Sequence, residues 1–142
     1  MNRRWARIRV VQALYQVEMT GIEWKAALQA SMEDEEEAND YLFDVIPGVL
    51  DALREIDEQI ARQLEHWALE RVGNVDRAVM RLAVYEMQYR DDIPVNVALN
   101  EAINTAKAFG GDEAGKFVNG VLSNLRNARE LEAKSENDSK DH

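Results

Sequence analysis

Apolar residues return every third or fourth position through most of this 142-residue chain, and only Pro47 and Pro94 interrupt it as prolines. That spacing is the period of an α-helix with one buried face, not the alternation of a strand. Leu42, Val45, Ile46, Val49, Leu50 and Leu53 form one such stripe, and Ile56, Ile60, Leu64 and Trp67 the next. Val75, Val79, Leu82, Ala83 and Met87 form a third, and Phe117, Val118, Val121, Leu122 and Leu125 a last. Alanine, leucine, glutamate and arginine fill the positions between, all good helix formers. No stretch reads as a strand, so the chain is expected to be all-α.

Local stop and start signals divide it into about seven helices, near 4–19, 24–32, 38–54, 56–67, 75–89, 94–109 and 112–131. Gly21 and the pair Gly110-Gly111 end helices, because glycine enters the left-handed conformation that a helix C-terminus favours. Asn74 is placed to cap the helix that follows it, and Pro94 suits a first helical position. The run EDEEE, Glu33 to Glu37, repels itself and is expected to be a solvated loop or the acidic first turn of the next helix, with no site assigned to it. Residues 1–131 are expected to form one domain. Residues 132–142, with almost nothing to bury, are expected to be a disordered acidic tail.

The net charge is -10, so a uniformly negative surface would repel phosphate, and any contact with nucleic acid has to be local. Cysteine is absent and the only histidines are His66 and His142, which removes the usual metal ligands and the thiol nucleophile. No segment approaches a membrane span or a secretory signal. A soluble, cytoplasmic protein is expected, with no cofactor and no metal. Glycine-rich phosphate loops, zinc-hydrolase and serine-hydrolase motifs are missing as well. A lone histidine such as His66 is more often packed or solvated than catalytic. A binding protein is therefore favoured over an enzyme.

Against the acidic background the segment RRWARIR stands out, with Arg3, Arg4, Arg7 and Arg9 inside seven residues. Guanidinium groups fit phosphate bidentately and stack on bases, so the cluster reads as an RNA clamp or as partners for the chain's own carboxylates. On a helix Arg3, Arg4 and Arg7 share a face, while Arg9 points nearly opposite. Trp5 and Tyr15 offer either stacking surface for unpaired bases or core packing.

Three further stretches are more specific: RAVMRLAVYEMQY, DIPVNVALNEAINTAKAFG and KFVNGVLSNL. With ALYQ near the start and an IDEQI segment in the middle, they resemble, in the same order, the NusB family of bacterial transcription antitermination factors. That resemblance implies two small helical bundles packed together. It also implies binding of the boxA element of nascent, notably ribosomal, RNA as a heterodimer with NusE, a small-subunit ribosomal protein. The pair then works in an antitermination complex with RNA polymerase and other Nus factors. By the same resemblance Arg3, Arg4, Arg7 and Arg9 are expected to contact RNA, and the family pattern differs from this chain at Trp5, Ile8 and Arg9.

Lys116, Phe117, Asn119 and Ser123 fall in the FVNG region that the resemblance places on the RNA surface. For Phe117 core packing, and for Asn119 a helix-packing hydrogen bond, remain alternatives. Tyr15 and Glu86 are implied to face NusE, while Asn100 and Glu101 either mark the family or tie helices together. Relatives occur as monomers and as homodimers, so a homodimer is open. Two other classes stay in view: a detached NusB-like domain of the kind that begins certain ribosomal RNA cytosine methyltransferases, and a helical adaptor that binds protein alone.

Overall fold

In a computed structural model, the structure describes residues 1–65 and 68–140, with side chains as far as 137. His66, Trp67 and His142 lie outside the described residues. The described part holds six α-helices and a short 3₁₀ turn, with no strand. They are α1 (Arg3–Thr20), α2 (Trp24–Ser31), α3 (Asp40–Asp51), α4 (Leu53–Arg62), the 3₁₀ turn Leu69–Arg71, α5 (Asn74–Tyr89) and α6 (Val95–Lys140).

Helix α1 begins at Asn2, whose side chain accepts a 2.9 Å hydrogen bond from the Trp5 backbone N–H. This satisfies one of the donors a helix start leaves free. It ends at Gly21, where φ is 72° and the glycine N–H returns to the Val17 carbonyl. Asn39 caps α3 in the same way as Asn2, accepting from Leu42 N at 3.2 Å. Helix α6 is broken at Gly111, with φ 77° and ψ -168°, into segments 95–110 and 112–140. The Arg126 guanidinium donates to Asn96 Oδ1 at 3.1 Å, so the two segments run back along each other.

Helices α1, α2 and α3 gather on one side, and α4 and the two segments of α6 on the other, with α5 touching α1, α3, α4 and α6. Fully buried Leu42 and Ile46 from α3, Ile56 and Ile60 from α4, Met80 from α5, and Leu122 and Leu125 from α6 fill the core. Each such side chain contributes roughly 1.5–3 kcal/mol relative to exposure. None of the helices described is long and apolar enough to cross a membrane.

Three local expectations change. Helix α5 is buried on every side from Arg77 to Met87, not along one stripe, because it lies between the two groups of helices. Asn74 is its first residue and not its cap; the Asn74 side chain instead meets Arg77 and the Met19 sulfur. Helix α4 stops at Arg62, short of 67. Beyond Leu131 the helix α6 runs on to Lys140, with every side chain from 131 to 137 exposed.

Candidate nucleic-acid interface

The four arginines of α1 meet four different environments. Arg3 is exposed, forms no ion pair among the described residues, and lays its guanidinium 4.4 Å from the centroid of the Tyr41 ring. Arg4 is 67% exposed and reaches Glu101 of α6 at 3.2 Å. The hydrogen bond to Glu101 raises its pKa further above the ordinary arginine value. Both keep donors directed at solvent.

Arg7 is buried. It donates from Nε and Nη2 to the two carboxylate oxygens of Glu86 at 2.8 and 2.9 Å, a bidentate pair. Glu86 is itself 1% exposed and also accepts from the Tyr41 hydroxyl at 3.2 Å. Burial opposes the charge on Arg7, but the hydrogen bonds and charge of Glu86 outweigh it and hold its pKa up. For Tyr41 burial comes first and the Glu86 carboxylate second, and together they keep the phenol protonated. Glu101 lies 3.6 Å from Arg7 Nη1, so it braces α6 against two arginines of α1 at once.

Arg9, on the opposite side of α1 as the helical wheel requires, is also buried. Its guanidinium contacts Glu36 at 2.7 Å, Gln12 at 2.9 Å and Glu33 at 3.6 Å. The acidic run is therefore not a free loop. Glu36 also accepts from the Glu33 backbone N–H at 2.7 Å, closing a turn that Arg9 fixes to α1. The Arg9 bond first, and that backbone bond second, hold the Glu36 carboxyl below its ordinary range.

The residues expected from the second segment of α6 are spread along it. Lys116 is 76% exposed, with only Glu113 at 3.9 Å for company. Phe117 is half-buried against the core. Asn119 accepts a 2.8 Å hydrogen bond from the Ser123 hydroxyl one turn later. No hydrogen bond or ion pair among the described residues links Lys116, Asn119 or Ser123 to the α1 arginines. Tyr15 is exposed and lines a groove of about 400 Å³ with Val11, Gln16, Val75 and Phe109.

Sequence reasoning did not find Tyr41, which supports Arg3 and bonds Glu86, nor the pairing of Arg9 with Glu36. These partners stand 45 and 27 residues apart in the chain, and no local pattern announces them. Among the described residues no group of histidine, aspartate and glutamate is arranged to hold a metal ion. Exposed Arg3 and Arg4 present guanidinium donors whose geometry suits an anionic group.

Comparison with known proteins follows the same lines. The model of the NusB family matches residues 4–127. A transcription antitermination protein NusB of Halalkalibacterium halodurans is 47% identical over 128 residues, spanning 90% of this chain and 96% of that one. The protein of the same name from Bacillus subtilis is 48% identical over 126 residues, covering 89% and 95%. Among solved structures, T. maritima NusB superposes with a TM-score of 0.80 at 37% identity over 88% of this chain and 90% of that one. A crystal structure of antitermination factors NusB and NusE in complex with dsRNA superposes with a TM-score of 0.79 at 26% identity, covering 89% and 96%.

Proposed function

Because the chain belongs to the NusB family, whose work is transcription antitermination and not catalysis, we propose that it binds boxA RNA of nascent ribosomal transcripts together with NusE. The observation that carries this is the pair Arg3 and Arg4, exposed at the start of α1 in a chain of net charge -10. Arg3 and Arg4 hold RNA phosphate, and Lys116 adds a third exposed cation. Asn119 and Ser123 supply hydrogen-bonding groups, with Phe117 supporting them from the core side. Arg7 and Arg9, both buried, act as positioning residues that fix α1 and its neighbouring loop.

Tyr15 faces NusE, and Glu86 acts on that surface from beneath by holding Arg7 and Tyr41. The acidity of the remaining surface steers a basic ribosomal protein toward it and keeps RNA to one edge. The neighbour solved with NusE and RNA supports this arrangement. The relatives matched are themselves antitermination proteins spanned over nearly their whole length, which favours this reading over a detached methyltransferase domain. Action on nascent transcripts with RNA polymerase and other Nus factors places the protein in the cytoplasm.

Titrating labelled boxA RNA with the chain, with and without NusE, tests the proposal. Tighter binding in the NusE mixture, lost on scrambling the RNA, is the expected result, and equal binding of the scrambled strand defeats it. Replacing both Arg3 and Arg4 with alanine should lower the log–log salt slope by about 0.7 for each phosphate contact removed. An unchanged slope clears them of the role. Light scattering of the chain alone gives its oligomeric state, since any homodimer has to leave Arg3 and Arg4 uncovered for this reading.

A further inference from the structure

We propose that Trp5 is a stacking platform for an unpaired base of the RNA strand held by Arg3 and Arg4, an inference that rests on the RNA-binding reading above. Trp5 follows those arginines directly in the first turn of α1, and about half of its side chain is left open to solvent. It is 52% exposed, and the cap at Asn2 uses its backbone N–H, not its ring. What the fold supplies instead is a rigid backing. The Arg9 guanidinium lies 5.5 Å from the indole centroid, and Arg9 is itself locked by Glu36 and Gln12. A cation so placed orients the ring and enriches its stacking with a base.

Beside the indole is a groove of about 440 Å³, reached from Met1 at one end and walled by Arg9 and the turn that Glu36 closes. Met1 also borders a second groove, of about 460 Å³, which Arg3 lines. A strand crossing the start of α1 therefore meets arginine on one side and tryptophan on the other. Glu33, Glu35, Glu36 and Glu37 line the first groove with Arg9 as their one cationic side chain, whereas Asp92 and Glu101 in the second are matched by Arg3 and Arg7, so phosphate is repelled from the first groove and a neutral base enters it. Charge thus sorts the two halves of a nucleotide between the two surfaces.

The experiment uses the chain mixed with NusE and a fluorescein-labelled single-stranded boxA RNA, titrated at several salt concentrations. W5A should bind about 5- to 150-fold more weakly, the range for losing one stacked base. Its log–log salt slope should match that of the unaltered chain, because no phosphate contact has been removed. W5F should retain part of the lost affinity. Unlabelled RNA should quench the tryptophan emission of the unaltered chain, and W5F should lose that quench; this readout stands even if W5A folds poorly. W5A binding at full affinity, or a quench that persists undiminished in W5F, overturns the proposal while leaving the RNA reading intact. If the unaltered mixture binds no RNA, the RNA reading fails and this inference fails with it.

Discussion

Glu86 shows how much a single side chain depends on its surroundings. In the linear sequence it is an acid in a helical stretch, suited to a surface that meets a basic partner. In the fold it is enclosed, with two bonds from Arg7 and one from Tyr41. A buried, well-bonded ion pair adds little net stability over an apolar pair, but removing one partner leaves the other charge without compensation. Glu86→Ala should therefore lower the unfolding free energy by about 3–5 kcal/mol in a denaturant titration. Loss of NusE binding in such a variant would need that stability measurement beside it, since the surface would be disturbed from within. Glu86→Lys should be harsher still, because it sets a second cation against buried Arg7.

At the scale of elements, close approaches and turns decide which substitutions the helices tolerate. Gly48 in α3 lies under the Tyr85 ring of α5, and a Cβ there would overlap that ring. Gly48→Ala should destabilise the chain by about 1–3 kcal/mol, the usual range for overpacking, read as a lowered thermal midpoint. The turn at 33–36 has a different dependence, on pH. Because Arg9 holds the Glu36 carboxyl below its ordinary range, the pair stabilises the folded chain above that range and loses its contribution as pH falls through the depressed value. Acidification should then release Arg9 and change Trp5 emission, and Glu36→Gln should flatten that change.

Over the whole molecule, the charge is distributed by function of place. Arg77 and Arg81 of α5 are buried and answered by Glu18 of α1 and Asp57 of α4, at 2.7 and 2.8 Å. These ion pairs tie the two groups of helices through the central helix, while Arg3, Arg4 and Lys116 are left for solvent. The extension of α6 past Leu131 takes no part in this, since the side chains from 131 to 137 are exposed. We expect a chain ending at Leu131 to unfold within about 0.5 kcal/mol of the full one. A larger loss in a denaturant titration would mean that the extension packs against the domain.

The all-helical class, the stops at Gly21 and Gly111 and the order of the elements were legible in the sequence, because helical period and glycine conformation are local properties. So was the concentration of arginine at one end. What each arginine does was not legible. Arg3, Arg4, Arg7 and Arg9 are alike as residues and close in sequence, yet Arg7 is buried against Glu86 and Arg9 against Glu36, while Arg3 stays exposed beside the Tyr41 ring and Arg4 exposed beside Glu101. The complete burial of α5 escaped the pattern for the same reason: Arg77, Arg81 and Glu86 read as surface residues until other helices bring Glu18, Asp57 and Arg7 to meet them. Helical period and the clustering of arginine are written in the chain, so the class of fold and the place of the positive charge follow from it. Which charges are neutralised inside and which remain exposed is settled by packing, because a guanidinium's surroundings depend on the carboxylate that the fold brings within 3 Å, not on its neighbours along the chain.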